Sequence, residues 1–561
     1  MIRISRMIPF PEDNSMPSWM EYLDTLPSLG EHWIDTSKAR GNQLVLADTL
    51  GSSLKARTAL TGSLLLSRRI AKLSPEQNVG LLLPTTAGGL LSGMAVMLLG
   101  KTLVPLNYTA PLEGMISAIE QADLKTVYTS SRFLEKCKAR GMDLAPVADK
   151  VKLIMLEDVH ASISTPEKLL TLLGCKIFSA ASIKKKYCAK PDLDSTAVIL
   201  FSSGSEGDPK GVMLSHKNIL ANVKQISKIL NADDSDVILA NLPIFHSFGM
   251  TACLFLPLLE RIKVVCHADP TDVVVIAKTI RENKATLLFG TSSFFRLYIK
   301  NHKVKAQDLA TIRLTVAGAE KLQSEVSAGF LKRFNKVIYE GYGCTELSPV
   351  ATVNTPFPNT DSAHLKDNNK PGSVGKPIPG TLIRIADPDS LEPLAQGTAG
   401  MVMVAGPQVM LGYLGNPELT NRVIKEADGK RWYVTGDKGS IDEDNFLHIE
   451  DRYARFAKIS GEMIGLGTVE RILREAVNDE EIEILAINIP DPKKGEMIVI
   501  LSTHELEERT LRPRLLAGGL NNLSLPAAYI TVEDLPKLGS GKADFATAKE
   551  VARQAIFSRS A

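Results

Sequence analysis

The segment Ser202-Ser203-Gly204-Ser205-Glu206-Gly207-Asp208-Pro209-Lys210-Gly211 has the residue types to hold an anion. It follows the apolar run Ala197-Val198-Ile199-Leu200-Phe201, which predicts a buried strand. Its small residues let backbone N–H groups converge on phosphate oxygens, and Lys210 adds a point charge. The spacing is not G-x-x-x-x-G-K-[ST], because Lys210 is preceded by Pro209 and followed by Gly211, so this is a phosphate loop of another kind. A second segment, Tyr339-Glu340-Gly341-Tyr342-Gly343-Cys344-Thr345-Glu346, offers aromatic faces, the Thr345 hydroxyl and, in Glu346, a hard oxygen suited to Mg²⁺. In Tyr433-Val434-Thr435-Gly436-Asp437 a carboxylate follows a glycine turn and suits a vicinal diol.

These residues need a scaffold, and the apolar pattern predicts α/β sheets with crossover helices. Short apolar runs at 79–83, 102–106, 126–129, 152–156 and 197–201 alternate with helical patterns such as Met115-Ile116-Ala118-Ile119 and Ile219-Val223-Ile226-Ile229. The first 75 residues add a helix-like stretch through Leu60, Leu64, Leu65 and Ile70. The loop after 201 is expected to run into a helix near Asn218. Strand candidates continue at 236–240, 262–265, 286–289 and 314–316, each ending in small or polar residues, where sites in such sheets form. Residues 354–376 read as an exposed Pro/Gly-rich connection, and 399–450 as a small β unit. A boundary at Asp451-Arg452 predicts a large N-terminal domain over 1–451 and a small mobile α+β domain over 452–561.

With 561 residues, 44% hydrophobic and 23% charged, the chain is of ordinary globular composition. A net charge of +2, with no basic stretch interleaved with aromatics, argues against nucleic-acid binding. The six cysteines show no C-x-x-C or paired metal spacing, so neither a disulfide nor zinc is expected. Residues 1–30 lack the apolar core of a signal peptide, and a cytoplasmic location is expected. Residues 79–99 carry no charge, yet Pro84-Thr85-Thr86 and Gly88-Gly89 interrupt them; they read as strand, turn and helix rather than a membrane span. Peripheral association with the inner membrane stays open.

The order S-S-G-S-x-G-x-P-K-G resembles the nucleotide loop of the adenylate-forming enzymes, the superfamily of acyl-CoA synthetases, adenylation domains and firefly luciferase. The later segments match that superfamily in order across nearly the whole chain, including Asp451-Arg452 with Lys458-Ile459-Ser460-Gly461-Glu462, and Leu538-Gly539-Ser540-Gly541-Lys542. The resemblance implies ATP and Mg²⁺ as cofactors. Ser202, Ser203, Gly204, Ser205, Gly207 and Lys210 would hold phosphates; Gly318, Ala319, Glu320, Tyr342 and Gly343 would line the adenine pocket; Thr345 would meet the α-phosphate and Glu346 the metal. Asp437 would take the ribose hydroxyls, Arg452 the ribose or phosphate, and Lys542 the acyl carboxylate and α-phosphate. Lys458 joins the nucleotide set, Gly461 lets a thiol approach, and His246 orients the carboxylate, which needs no general base at neutral pH. Lys542, Thr345, Lys210, His246 and Arg452 form the catalytic set. Two departures stand out: Ala454 replaces the usual hinge Asp or Lys, and no proline precedes Glu470.

Finer details, among them Glu206 in place of the superfamily's threonine, resemble the synthetase half of the bacterial bifunctional acyl-carrier-protein synthetase/acylglycerophosphoethanolamine acyltransferase. The implied activity is conversion of a medium- or long-chain fatty acid to acyl-AMP and transfer to the phosphopantetheine thiol of acyl-carrier protein, with Arg452, Arg455 and Lys458 as docking candidates. A long-chain fatty-acid–CoA ligase is the alternative, and a nucleotide-binding module without turnover is a third reading. The acyltransferase half carries H-x-x-x-x-D; no such motif is expected here, which would make the chain a stand-alone synthetase.

Overall fold

The structure, a computed structural model, describes residues 10–202, 209–358, 367–459, 462–479, 482–491, 494–537 and 543–560. Two large sheets carry most of it. In the first, seven strands lie in the order Gly412–Tyr413, Lys210–Ser215, Thr196–Ser202, Thr102–Pro105, Asn78–Leu81, Thr126–Thr129 and Lys152–Met155. The last five run parallel. Thr102–Pro105 and Thr126–Thr129 are buried at every position, as strands covered on both faces must be.

The second sheet has nine strands, with a parallel centre of Ile338–Gly343, Leu314–Ala317, Leu287–Gly290, Val237–Ala240, Lys263–Cys266 and Leu44–Asp48. Helix Ala87–Leu98 is buried at ten of its twelve positions, so it has no polar face to show in the sequence. That explains the charge-free run at 79–99, which resolves into strand Asn78–Leu81 and this helix. No helix among the described residues is long and apolar enough to cross a membrane.

The helix expected near Asn218 does form, but the chain first adds a strand, Lys210–Ser215, antiparallel to Thr196–Ser202, with Leu200 opposite Val212 and Ser202 opposite Lys210. The apolar residues Val212 and Leu214 favour this hairpin because they are buried in the same core as Leu200. Helix His216–Ile229 starts only afterwards, capped by Ser215, whose Oγ accepts from Asn218 N.

That helix turns a polar stripe inward. Asn218 Nδ2 donates to Pro407 O at 2.8 Å, and Asn222 both donates to Val350 O and accepts from Val350 N. Gln225 Nε2 reaches Pro379 O at 2.6 Å. Asn222 thereby holds the start of strand Val350–Val353, while Asn218 and Gln225 satisfy carbonyls at Pro407 and Pro379, outside the strands.

Residues 354–376 are not wholly an exposed connection. Asn354, Thr355, Ser373 and Val374 are buried, and Asn354 Nδ2 donates to Ser373 O at 2.8 Å. The small β unit does form, from Leu382–Ala386, Gly400–Ala405, Lys430–Ile441, Ile424–Ala427 and Leu447–Arg452. A fourth sheet, of Glu462–Gly465, Phe456–Ile459, Gly495–Ser502, Ile484–Asp491 and Ala528–Thr531, has apolar clusters of its own on both faces. All six cysteines are free, four of them buried.

Candidate functional site

Strand Ile338–Gly343 changes partner halfway, pairing in parallel with Leu314–Ala317 through Glu340 and antiparallel with Val350–Val353 from Gly341. The switch carries Tyr342 toward the β unit. There its hydroxyl donates to Asp437 Oδ2 at 2.5 Å, while Arg452 Nε lies 3.2 Å from Asp437 Oδ1. Asp437 and Arg452 are also direct strand partners. The turn before Asp437 needs Gly436, whose φ is +76°, and Thr435 Oγ1 accepts from Asp437 N at 3.0 Å.

Asp437 is 4% exposed, and burial pushes its carboxyl above the usual range, against the pull of the Arg452 charge and the Tyr342 hydroxyl. A carboxylate offers about four lone-pair sites. One contact on each oxygen leaves one further site on each, which matches a vicinal diol. Arg452 itself is 61% exposed and covers the carboxylate from the solvent side.

Glu346 and Thr345 follow in a short 3₁₀ turn, Thr345–Leu347. Tyr413 donates its hydroxyl to Glu346 Oε1 at 2.8 Å, and Met410 N donates to the Glu346 carbonyl at 2.8 Å. Burial and the Glu346 charge push the Tyr413 phenol up, so it stays a donor. Tyr413 is opposite Val212, and Leu414 N donates to Gly211 O at 2.7 Å, which joins the Glu346 turn to the strand that begins with Lys210. Lys210 and Ser202 are half-buried at the mouth of the hairpin. Glu346 fits Mg²⁺ as one hard carboxylate, the way that ion is held beside substrate phosphates. Among the described residues no group of three or more His, Cys, Asp or Glu forms an all-protein cage.

Thr345 Oγ1 lies 3.4 Å from Ser247 Oγ, one residue beyond His246. His246 is half-buried, its ring centroid 4.7 Å from that of Phe245, which is itself 4.7 Å from Tyr108. The chain then passes through a π-helical turn, Met250–Phe255, a form common at functional sites. Gly318 packs against Phe248, and its N donates to Gly290 O at 3.1 Å. Ala319 holds a left-handed φ of +71°, a conformation a non-glycine residue keeps only when its surroundings impose it. Glu340 Oε1 accepts from Leu322 N at 2.8 Å and ties this loop to the Tyr342 strand.

Several anticipated residues have other contacts. Glu320 accepts from Ser293 N and Ser293 Oγ, so its carboxylate binds the first turn of helix Ser292–Lys300. Lys458 is exposed on strand Phe456–Ile459, where its N donates to Glu496 Oε2. Arg455, a docking candidate, is instead engaged: it pairs with Glu470 at 2.6 Å and lies over the Phe545 ring. Ser203, Gly204, Ser205, Gly207, Gly461 and Lys542 lie outside the described residues. The H-x-x-x-x-D spacing expected to be absent does occur once, at His267 and Asp272, with Nε2 3.8 Å from Oδ2 and Nδ1 held by Thr49 Oγ1.

Sequence reasoning missed Tyr413 and Ser247. Tyr413 stands between glycines in Gly412-Tyr413-Leu414-Gly415, a turn signal that hides its reach to a carboxylate 67 positions away.

Known proteins resemble this chain in sequence and in fold. A long-chain-fatty-acid–CoA ligase of Yersinia pestis is 30% identical over 364 residues, 63% of this chain; the chain spans 61% of that protein's length. A long-chain-fatty-acid–CoA ligase of Bacillus subtilis is 26% identical over 528 residues, 90% of this chain and 89% of the relative. The fold matches o-succinylbenzoate coenzyme A synthetase of Bacillus subtilis, solved with ATP and magnesium ion, with a TM-score of 0.73 at 20% identity over 92% of this chain and 98% of that one. The model of the AMP-binding enzyme family matches residues 52–414, well over half of the sequence, and the chain belongs to that family.

Proposed function

We propose that this chain is an acid–thiol ligase that activates a long-chain fatty acid with ATP and passes the acyl group to a phosphopantetheine thiol. The observation that carries the reading is the pairing of Asp437 with Tyr342 and Arg452, Tyr342 lying on the strand that continues into the Thr345–Glu346 turn, so that a diol acceptor from one sheet meets a hydroxyl and a metal-type carboxylate from another. The names of the relatives support the substrate class.

In the first half-reaction a carboxylate oxygen bonds to the α-phosphorus of ATP while the α–β phosphoanhydride breaks and pyrophosphate leaves. Lys210, Thr345 and Lys542 would neutralise the charge that develops, mostly by positioning and electrostatics. Glu346 would hold Mg²⁺, which when bound offsets phosphate charge. His246 and Phe245 would orient the carboxylate, and Gly318 and Tyr342 would frame the base. In the second half-reaction the thiol loses its proton, sulfur bonds to the acyl carbon, and AMP departs. Residues 452–561 would act as the mobile domain that changes between the two steps, with the thiol arriving past Gly461.

Coenzyme A is the acceptor favoured by the relatives' names. Acyl-carrier protein is the second reading, supported by the details around Glu206 that resemble the acyl-carrier-protein synthetase branch. Labelled fatty acids and ATP, offered coenzyme A and holo acyl-carrier protein in parallel, decide between them by which thioester accumulates. If no fatty acid elicits pyrophosphate release, the chain binds nucleotide without turnover and the proposal fails.

The diol assignment has its own test. Asp437→Ala should raise the KM for ATP by the loss of hydrogen bonds to a charged acceptor, about 1.5–3 kcal/mol. The wild type should prefer ATP over 2′-deoxy-ATP and the variant should not. Equal discrimination by both proteins would remove Asp437 from the ribose.

A further inference from the structure

We propose that the outer face of helix Thr165–Ile177 docks this chain onto an anionic phospholipid bilayer. The helix is amphipathic in the reverse of the usual sense. Its inner side buries Thr171 and Cys175, with Arg68 Nη1 donating to Thr171 Oγ1 and Lys38 Nζ to the Cys175 carbonyl. Its outer side presents Leu169, Leu170, Leu173 and Ile177, followed by Phe178, each 49–68% exposed. The spacing i, i+1, i+4, i+8 keeps the four on one arc of the helix. Five of the twelve large exposed apolar side chains among the described residues therefore fall within ten positions. Scattered exposed leucines need no explanation, but a contiguous patch of this kind marks an interaction surface.

The charge around the patch selects the partner. Lys176 is exposed on the same helix, Lys185 and Lys186 on the next helix, Ala180–Tyr187, and Lys72 at the end of Ala56–Leu73. The one carboxylate on the helix, Glu167, is neutralised by Arg69 at 2.6 Å and Arg68 at 3.6 Å. Beside the patch lies a cavity of about 460 Å³ whose lining mixes Leu170, Phe178 and Ile183 with Arg68, Lys186 and the Arg-paired Glu167, which leaves a net cationic charge beside apolar wall for a lipid phosphate. An apolar strip flanked by lysines is how helices settle into the headgroup boundary of acidic membranes. A second copy of this chain fits less well, because a two-fold contact through the strip would set lysines against lysines.

The inference stands on this face alone and does not depend on the proposed ligase activity. Full-length protein should co-sediment with vesicles of equimolar phosphatidylglycerol and phosphatidylcholine, weakly with phosphatidylcholine alone, and less as salt rises. The variant Leu169→Ser/Leu173→Ser/Ile177→Ser should partition at least about tenfold more weakly, since it removes three exposed apolar anchors. Lys185→Glu/Lys186→Glu should abolish the preference for the acidic vesicles. Both variants alter exposed positions, so circular dichroism and adenylation should match wild type. Wild-type protein that ignores acidic vesicles, or a serine variant that binds them undiminished, overturns the proposal. So does light scattering that shows a wild-type dimer and a monomeric serine variant, with no vesicle binding by either.

Discussion

Replacing Gly343 with alanine should slow adenylate formation about a hundredfold while most of the chain stays folded. A Cβ at this position would lie 1.9 Å from the Pro349 carbonyl oxygen and 2.8 Å from its carbon, so one side of the contact must move by about 1 Å to reach a tolerable separation. Neither side is free to do so cheaply. The Pro349 carbonyl accepts from Cys344 N at 3.0 Å, the adjacent Ser348 Oγ donates to Gln408 O at 2.8 Å, and Asn222 grips Val350 through both its N–H and its carbonyl. The softest response is a shift of the strand end that carries Tyr342 on one side and Thr345 and Glu346 on the other. Displacements of that size at groups that position reactants cost about 10² in rate. Pyrophosphate exchange measures the rate, and thermal unfolding separates it from a global loss, for which overpacking of this kind gives roughly 1–3 kcal/mol. Gly62→Ala is the control, since a Cβ there would meet only Leu91 Cδ1 at 3.6 Å and the helix gains propensity. An alanine at 343 with wild-type exchange would mean that this strand end does not position the reacting groups.

How far the site was legible in the sequence depended on whether its parts were local. Thr345, Glu346 and Gly436-Asp437 sit within short segments whose residue types announce them, and the structure brings Tyr342, Asp437 and Arg452 into contact. The strand Lys210–Ser215 ahead of the helix at Asn218 was not anticipated, because its alternation is too short to stand out before its pairing is known: Val212 and Leu214 are buried in register with Thr196–Ser202. Tyr413 was invisible for a different reason. Its partner Glu346 is set by how Gly412–Tyr413 adds to the edge of the seven-stranded sheet, a pairing that no local pattern encodes. Glu320, assigned to the adenine pocket by the resemblance, and Arg455, a docking candidate, also have partners that no local pattern showed, Ser293 and Glu470. Helix Ala87–Leu98 shows the converse, a run apolar enough to suggest lipid that is buried between protein layers instead.

Lys542→Ala should slow the first half-reaction by about 10²–10³, the loss that follows removal of one preorganised electrostatic donor, and leave the second nearly intact. Lys542 lies outside the described residues, so the expectation rests on the place of Leu538-Gly539-Ser540-Gly541-Lys542 in the motif series. The surrounding fold gives it physical grounds. The last hundred residues have a sheet and apolar clusters of their own, as the proposed rotation of residues 452–561 requires, and the chain enters them through Arg452, the strand partner of Asp437. Opposite faces of such a body can then serve successive steps. With synthetic acyl-AMP and thiol supplied, Lys542→Ala should transfer the acyl group at a near-normal rate, because on the proposed alternation the second step uses another face of the C-terminal residues and Lys542 has left the α-phosphate. Gly461→Leu should do the reverse, making adenylate while its side chain blocks the thiol's approach. If both half-reactions fall together in a Lys542→Ala protein that keeps its circular dichroism spectrum, one arrangement of the C-terminal residues serves both steps and the alternating mechanism does not hold.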